Sequence, residues 1–556
     1  MSGAEIDRRQ AMLLGAGAVG LGLATANPEA SASAAWRAGA LRHVIPTASA
    51  DAILLKCSFD RPLAGKVVAM IGGHAVPGHQ TDSAGRFWTF WAKGLAPGMP
   101  QRIALTANGK LLSDPWSVRT LPASAADPAR FRMLTFMCAG GDESARGPKG
   151  IESFRPIATR RRLLARGLSF APGVVVANGD HIYWDQKTWL MNRNADIREA
   201  TKHAYDQWGY LDPRLPVLGT ANENLVQRVG DEQIARLYGT MLRETPSYFI
   251  PDDHDYIEND EAEERFVTFP ADELQREVQR VMQRLYYPEF LPQDHMPQGL
   301  AGTSHEGWSR GLSRSFGTIR YGKLVEALLY DTIGFMSLKD RNAGLIPPEA
   351  EAWLLDRILA SDAHQMLHLP SFPLGWTAGK WREWYPDVVA AAVNAQGETE
   401  VHTHGFSGVG RLTTDRPKYL WQQGWFAQHQ RLVAAMGATT RPAIVVSGDI
   451  HAVGKTKIVA SGDLDLSANP IHAFLVGSIG ASKSGFPSFA RGTPPSTPAA
   501  LKAEGFEFPK EENGFSIVDV EPDSVTVRQF RWTDSVPLAA IDTLEPFDTT
   551  VIARRG

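Results

Sequence analysis

Residues Val174–Asp185 read VVVANGDHIYWD. An unbroken apolar run, Val174 to Ala177, gives way to Asn178, Gly179 and Asp180, and Tyr183 stands three places beyond that aspartate. A short apolar run without polar alternation is the pattern of a strand buried on both faces. In α/β folds, ligands collect at the carboxyl ends of such strands. The stretch therefore predicts a buried strand that delivers a carboxylate at its mouth and a phenol one short turn later.

Three other segments repeat the arrangement. FRMLTFM (Phe131–Met137) runs into Cys138, SYFIP into Asp252-Asp253-His254-Asp255, and RPAIVVSG into Asp449-Ile450-His451. One aspartate after a strand means little, because Asp also makes turns and caps helices. Four strand ends that each supply a potential metal ligand form a pattern. Gly179 and Gly448 are expected to allow a sharp turn directly before a ligand. Asp180, Asp253 and Asp449 offer oxygen to a hard cation. Tyr183 as phenolate requires a strongly acidic metal such as ferric iron, and Cys138 as thiolate leans towards a transition metal. Two unlike metals are the expectation.

Around these strand ends, strands and helices alternate. Helices are predicted in GIESFRPIATRRRLLARGL, with its three consecutive arginines on a solvated face, and over Asn222–Leu242, Ala271–Tyr286, PPEAEAWLLDRILA and Tyr419–Met436. SRSFGTIRYG and KLVEALLYDT read as a hairpin, and HAFLVGSI, GFSIVDV and SVTVRQFRW as closing strands. The alternation with late antiparallel pairs predicts an α/β sandwich with two mixed sheets. Before it, residues 45–122 read as short strands broken by Gly, Pro, Asn and Asp, a small β-sandwich in which GLAPGMPQRIAL is similar to the turn and strand of fibronectin type III-like domains. The catalytic region is expected over 130–545, after a linker ASAADPA.

The first 34 residues read as a signal peptide. Arg8 and Arg9 precede an uncharged, Gly- and Ala-rich run too short to span a bilayer comfortably, and Ala-Ser-Ala sites follow. The paired arginines resemble a twin-arginine signal. This places the mature protein in the periplasm or outside the cell, exported by the twin-arginine machinery and without a stable membrane anchor after cleavage. A net charge of −4 and pI near 6.4 exclude a broad basic surface, so no nucleic-acid partner is expected beyond a possible substrate. Cys57 is read as a core residue rather than a disulfide partner of Cys138.

The order Cys138, GDHIY, DDHD, GDIH resembles the PhoD-like alkaline phosphatases, a branch of the metallophosphoesterase superfamily. Cys138 stands where the superfamily has D-x-H, Asp180 and Tyr183 fill G-D-x-x-Y, Asp253-His254-Asp255 replaces N-H-D/E, and Asp449 and His451 replace the histidines of G-H-x-H. Pro251 stands where relatives usually have Trp, and YDTIGF lacks the arginine common after Asp-Thr. The resemblance implies a metallophosphoesterase-like α/β sandwich. It implies Fe(3+) held by Cys138, Asp180, Tyr183 and His451, and Ca(2+) held by Asp180, Asp253 and Asp449, with Asp180 bridging. It implies an exported phosphoric ester hydrolase acting on phosphate monoesters or diesters, in which metal-activated hydroxide attacks phosphorus. His254 is expected to serve the leaving-group oxygen, since its side chain should diverge from that of Asp253, and Asp255 is expected to orient the imidazole. Other readings are a phosphate- or glycan-binding protein without turnover, or another metallohydrolase on the same scaffold. His402 and His404 have metal-like spacing but read as a loop over the cleft. Lys380 and Arg382 could line a phosphate pocket, though packing is the simpler reading. His181 and Trp184 are expected behind the ligands.

Overall fold

The computed structural model describes residues 35–145, 152–186, 195–258, 269–337, 344–378, 391–393, 399–401, 410–412, 425–490, 494–498, 500–505 and 509–554. The paired arginines near the N-terminus, His402, His404, Lys380 and Arg382 lie outside them. No helix among the described residues is long and apolar enough to cross a membrane.

Two large mixed sheets dominate. In the first, the strands run in the order Ser247–Ile250, Val174–Asn178, Phe131–Phe136, Asn513–Glu521, Ser524–Trp532 and Asp548–Ala553. The first three are parallel and the rest antiparallel. In the second the order is Phe316–Tyr321, Val325–Tyr330, Gln365–Pro370, Ala443–Ser447, Ile471–Val476, Val453–Ser461 and Leu464–Asp465. The strand Leu501–Glu504 also pairs with Val453–Ser461. The hairpin read from SRSFGTIRYG and KLVEALLYDT is the antiparallel pair Phe316–Tyr321 and Val325–Tyr330.

The opening apolar run is buried on both faces, and the side chains show why. Val174 and Val176 join a core shared with Leu367, Leu369, Ile444 and Val446 of the second sheet. Val175 and Ala177 face a second core built with Leu163, Leu164, Val226 and Val278 from helices Ile157–Ser169, Ala221–Gly230 and Glu273–Tyr286. A third core lies on the far side of the second sheet, under helices Pro348–Ala360 and Phe426–Gly437. The result is helix, sheet, sheet, helix. With side chains packed on each face, period-2 alternation disappears from the central strands.

Residues 38–556 form one compact unit, so the change of architecture after residue 122 falls inside it. The N-terminal strands make two antiparallel sheets of four and five strands. One of them is tied to the first large sheet and its helices. Tyr248 donates its hydroxyl to Ala48 O at 2.6 Å, and the buried Lys56 ammonium reaches Glu289 at 2.9 Å.

Several expectations change. The α/β sandwich, expected to end at 545, runs further, because Asp548–Ala553 is the outer strand of the first sheet. The strand Val453–Ser461 carries no sequence expectation, its core pattern being interrupted by Lys455 and Lys457, which form ion pairs outside. The predicted helix 222–242 is broken into an α-helix to Gly230, a π turn over Asp231–Ala235 and a short helix to Tyr238. Arg160, expected on a solvated face, is fully buried.

Burial also makes the fold acid-sensitive. His43, His368 and His429 are at most 3 % exposed. Burial pushes His43 down to about 4, with Asp231 opposing and Arg42 and Lys56 adding to the shift. It pushes His368 and His429 down to about 3. The unfolded chain takes up these protons below its ordinary histidine pKa of about 6.5, whereas the folded chain resists until pH 4 or lower. Stability present above pH 6.5 is therefore lost as pH falls towards 4, on the order of 3 kcal/mol per histidine. Urea midpoints measured from pH 7.5 to 4 are expected to fall steeply, and His43→Gln is expected to flatten the curve. A level profile would refute this.

Candidate metal centre

Four strand ends converge at the mouth between the sheets. Asn178 closes the strand that opened the analysis, and its side-chain amide donates to Pro370 O and Val446 O of the second sheet, both at 3.2 Å. Gly179 then turns with φ +88°, as expected. Gly448 is glycine for a different reason. A Cβ there would lie 2.0 Å from Asn178 O, so the two sheets can approach at this point only without a side chain.

The sharp turns fall on the candidate ligands themselves. Among the described residues six non-glycine residues have positive φ, and three of them are Cys138 (+48°), Asp180 (+60°) and Asp449 (+62°). The left-handed region costs a non-glycine residue on the order of 1 kcal/mol, and such strain concentrates at functional sites. Each turn lifts a side chain from the end of a rigid strand into the cleft.

The Tyr183 hydroxyl lies 2.8 Å from Cys138 Sγ, 2.7 Å from Asp180 Oδ2 and 2.9 Å from His451 Nε2. His451 Nε2 is 3.1 Å from Asp180 Oδ2, while its Nδ1 meets Gly485 O at 2.6 Å. That carbonyl can only accept, so Nδ1 carries the proton, which leaves the Nε2 lone pair facing the cluster. The four donor atoms thus bring at most two protons, from the phenol and the thiol, to a knot of lone pairs. A cation fits this set. Bonds of about 2.0–2.3 Å to one centre place ligands at right angles about 2.8–3.3 Å apart, close to the 2.7–3.1 Å found here. In the chain alone, burial, followed by the charges of Asp180 and Cys138, holds the Tyr183 phenol well above its usual range.

Two further clusters adjoin the first. Donor atoms of Asp180, Asp253 and His254 lie within 4.8 Å of one another, as do those of Asp252, Asp253 and Asp449. All six expected metal ligands therefore fall in three overlapping groups, with Asp180 common to two. Asp252 was not foreseen. It directly precedes an expected ligand, and a run of adjacent carboxylates does not tell which of them point inward.

The expectation that His254 diverges from Asp253 is corrected, because residues 253–256 form a single 3-10 turn that brings both into one group. Asp255 is not the partner of the imidazole. Its carboxylate accepts from the backbone N–H groups of Asp180 (3.1 Å), His181 (2.9 Å) and Asp252 (2.8 Å). It holds two ligand-bearing turns together. Burial, then the charge of Asp180, raises Asp255 well above the usual carboxylate range, against the pull of those amides. The partner of His254 is Asp185, fully buried, with Oδ1 2.7 Å from Nδ1. Asp185 closes the quoted stretch, but a carboxylate five residues after Asp180 carries no local signal of its role.

Behind the ligands, His181 and Trp184 are fully buried, and His181 Nε2 contacts Ile250 O at 2.9 Å. The loop after Cys138 is held by Arg160. Its guanidinium donates to Ala139 O (3.1 Å), Gly140 O (3.0 Å), Gly141 O (2.7 Å) and Arg155 O (2.6 Å). Burial lowers it to about 10, so it remains charged at neutral pH.

The two-sheet α/β sandwich expected from the sequence is present, with the candidate donors on the strand ends of both sheets. The structure of PhoD is similar over 92% of this chain and 90% of that one, with a TM-score of 0.57 and 14% identity, a likeness of fold. A purple acid phosphatase, PPD1, from yellow lupin (Lupinus luteus) seeds overlaps 92% of this chain and 74% of its own at a TM-score of 0.49 and 12% identity. No family model and no curated protein matches the sequence.

Proposed function

We propose that the chain is a metal-dependent phosphoesterase that cleaves phosphate monoesters or diesters, exported by a twin-arginine signal to the periplasm or beyond. The observation that carries the reading is the convergence of sulfur, phenol, imidazole and carboxylates from four strand ends. Cys138, Asp180, Tyr183 and His451 suit ferric iron, and the oxygen-rich Asp180, Asp253 and Asp449 suit calcium. Bound there, the pair would acidify a water and neutralise charge on the phosphoryl oxygens.

The chain's own residues do the rest. Asp180 spans both halves and fixes their separation. Asp255 ties the turn at Asp180 to the turn at Asp252, so the clusters move as one. His254, held at Nδ1 by Asp185, sits in one group with Asp180 and Asp253, where its imidazole would exchange a proton with the leaving-group oxygen. The ligand turns are preset by the sheets, so positioning and electrostatics supply most of the rate.

Purified protein should carry iron and calcium and hydrolyse aryl phosphate esters. A full metal complement without turnover of either monoester or diester would favour a binding protein instead. His254→Ala is expected to lower kcat about 10²–10⁴-fold with metal content unchanged, and Asp185→Asn to lower it less. Loss of calcium from His254→Ala would make His254 a ligand rather than a proton donor.

A further inference from the structure

Tyr183 sits in an irregular segment, residues 181–185, outside any helix or strand. Its backbone nevertheless has a dedicated partner. Gln233 Oε1 accepts from Tyr183 N–H at 2.7 Å, and Gln233 Nε2 donates to Tyr183 O at 2.8 Å. Gln233 is 1 % exposed. One side-chain amide thus clamps both backbone groups of the residue that carries the phenol.

The clamp is delivered by the π turn Asp231–Ala235. A π turn inserts an extra residue into a helix and re-aims its side chains, and such turns recur at functional sites. This one is pinned from two sides through Asp231. Arg86 Nη2, just before the N-terminal strand Phe87–Lys93, donates to Asp231 Oδ2 at 2.8 Å. The hydroxyl of Tyr286, at the end of helix Glu273–Tyr286, shares its proton between Oδ1 at 3.0 Å and Gln227 O at 2.7 Å. Gly230 admits that ring, since a Cβ there would meet Tyr286 Cε2 at 2.3 Å. The N-terminal sheets are thereby linked to the metal centre through Arg86, Asp231, Gln233 and Tyr183.

We propose that Gln233 is a positioning residue for the metal centre, its amide fixing the Tyr183 backbone so that the phenol oxygen meets Cys138 Sγ, Asp180 Oδ2 and His451 Nε2. The inference rests on the reading of Tyr183 as a ligand. The phenol oxygen lies at the far end of a rigid ring, so a small rotation of an unclamped backbone becomes a large displacement. Ligand constellations tolerate only on the order of 0.5 Å. Partners that orient a ligand are worth about 10–100-fold in metal affinity.

The test loads metal-free protein with ferric iron and follows the phenolate-to-iron absorption in the visible. Wild type should show the band and Tyr183→Phe should lack it. Gln233→Met, close in volume but unable to clamp, is expected to shift the band or lose at least half of it, and to weaken iron binding about 10–100-fold with calcium content and circular dichroism retained. Gln233→Glu keeps the acceptor for the Tyr183 N–H and loses the donor, so it should fall between. A folded Gln233→Met with wild-type band and iron affinity overturns the proposal. If that variant does not fold, Gln233→Glu decides: an unchanged band overturns the proposal and an altered one supports it. A wild type without the band, or Tyr183→Phe with it, overturns the ligand reading itself, an outcome distinct from a failure of the clamp.

Discussion

Asp180→Asn is expected to purify with neither metal and to lose turnover by about a thousandfold or more. The side chain belongs to two of the three donor groups, and its Oδ2 touches both Tyr183 and His451. An amide keeps the volume and one oxygen but removes the charge that both halves share. Cys138→Ala gives the contrast, since the thiol belongs to one group only. It should lose the iron and keep the calcium. Metal analysis of the two purified variants, read beside kcat, separates a bridging carboxylate from an ordinary one. Asp180→Asn with a full complement of either metal would show that it does not bridge.

The second large effect is one of stability. Arg160→Leu should destabilise the metal-free protein by about 3–5 kcal/mol, because four buried backbone carbonyls lose their donors and each unsatisfied group costs about 1–3 kcal/mol. Three of those carbonyls follow Cys138 directly, at residues 139, 140 and 141. The damage should therefore also loosen the thiol. Arg160→Lys keeps the charge, but an ammonium cannot span carbonyls arranged for a planar fork, so it should recover only part of the loss. Urea midpoints of the three proteins decide the matter, and a change below about 1 kcal/mol for Arg160→Leu would contradict the role given to the guanidinium.

These two residues mark what can and cannot be read from a chain of this kind. Asp180 was legible because its signal is local: a run of apolar residues buried on both faces, a turn, a carboxylate. The same holds for Cys138, Asp253, Asp449 and His451. Arg160 was misread because its helix offers three consecutive arginines, and only the position of the loop at 139–141 selects which one turns inward. Asp185 and Gln233 escaped for a related reason. Each acts on a residue brought to it by the fold, His254 or Tyr183, and neither lies in a pattern. Asp255 has another partner than the one expected, since reach along the backbone does not distinguish an imidazole next door from amides 74 and 75 residues away. The edge strand Asp548–Ala553 escapes because Ile552 is its one buried residue, the others being exposed or half-buried, so it lacks the long apolar run of the central strands.

The order of strands in the first sheet has a consequence for biosynthesis. The strand leading to Cys138 lies between Val174–Asn178 and Asn513–Glu521, so its neighbour on one side leaves the ribosome long after it does. His451 likewise follows Asp180 by 271 residues. A nascent chain that has not yet reached His451 and Asn513 therefore lacks one donor and one flanking strand, and the proposed centre could take up metal only after both have been made.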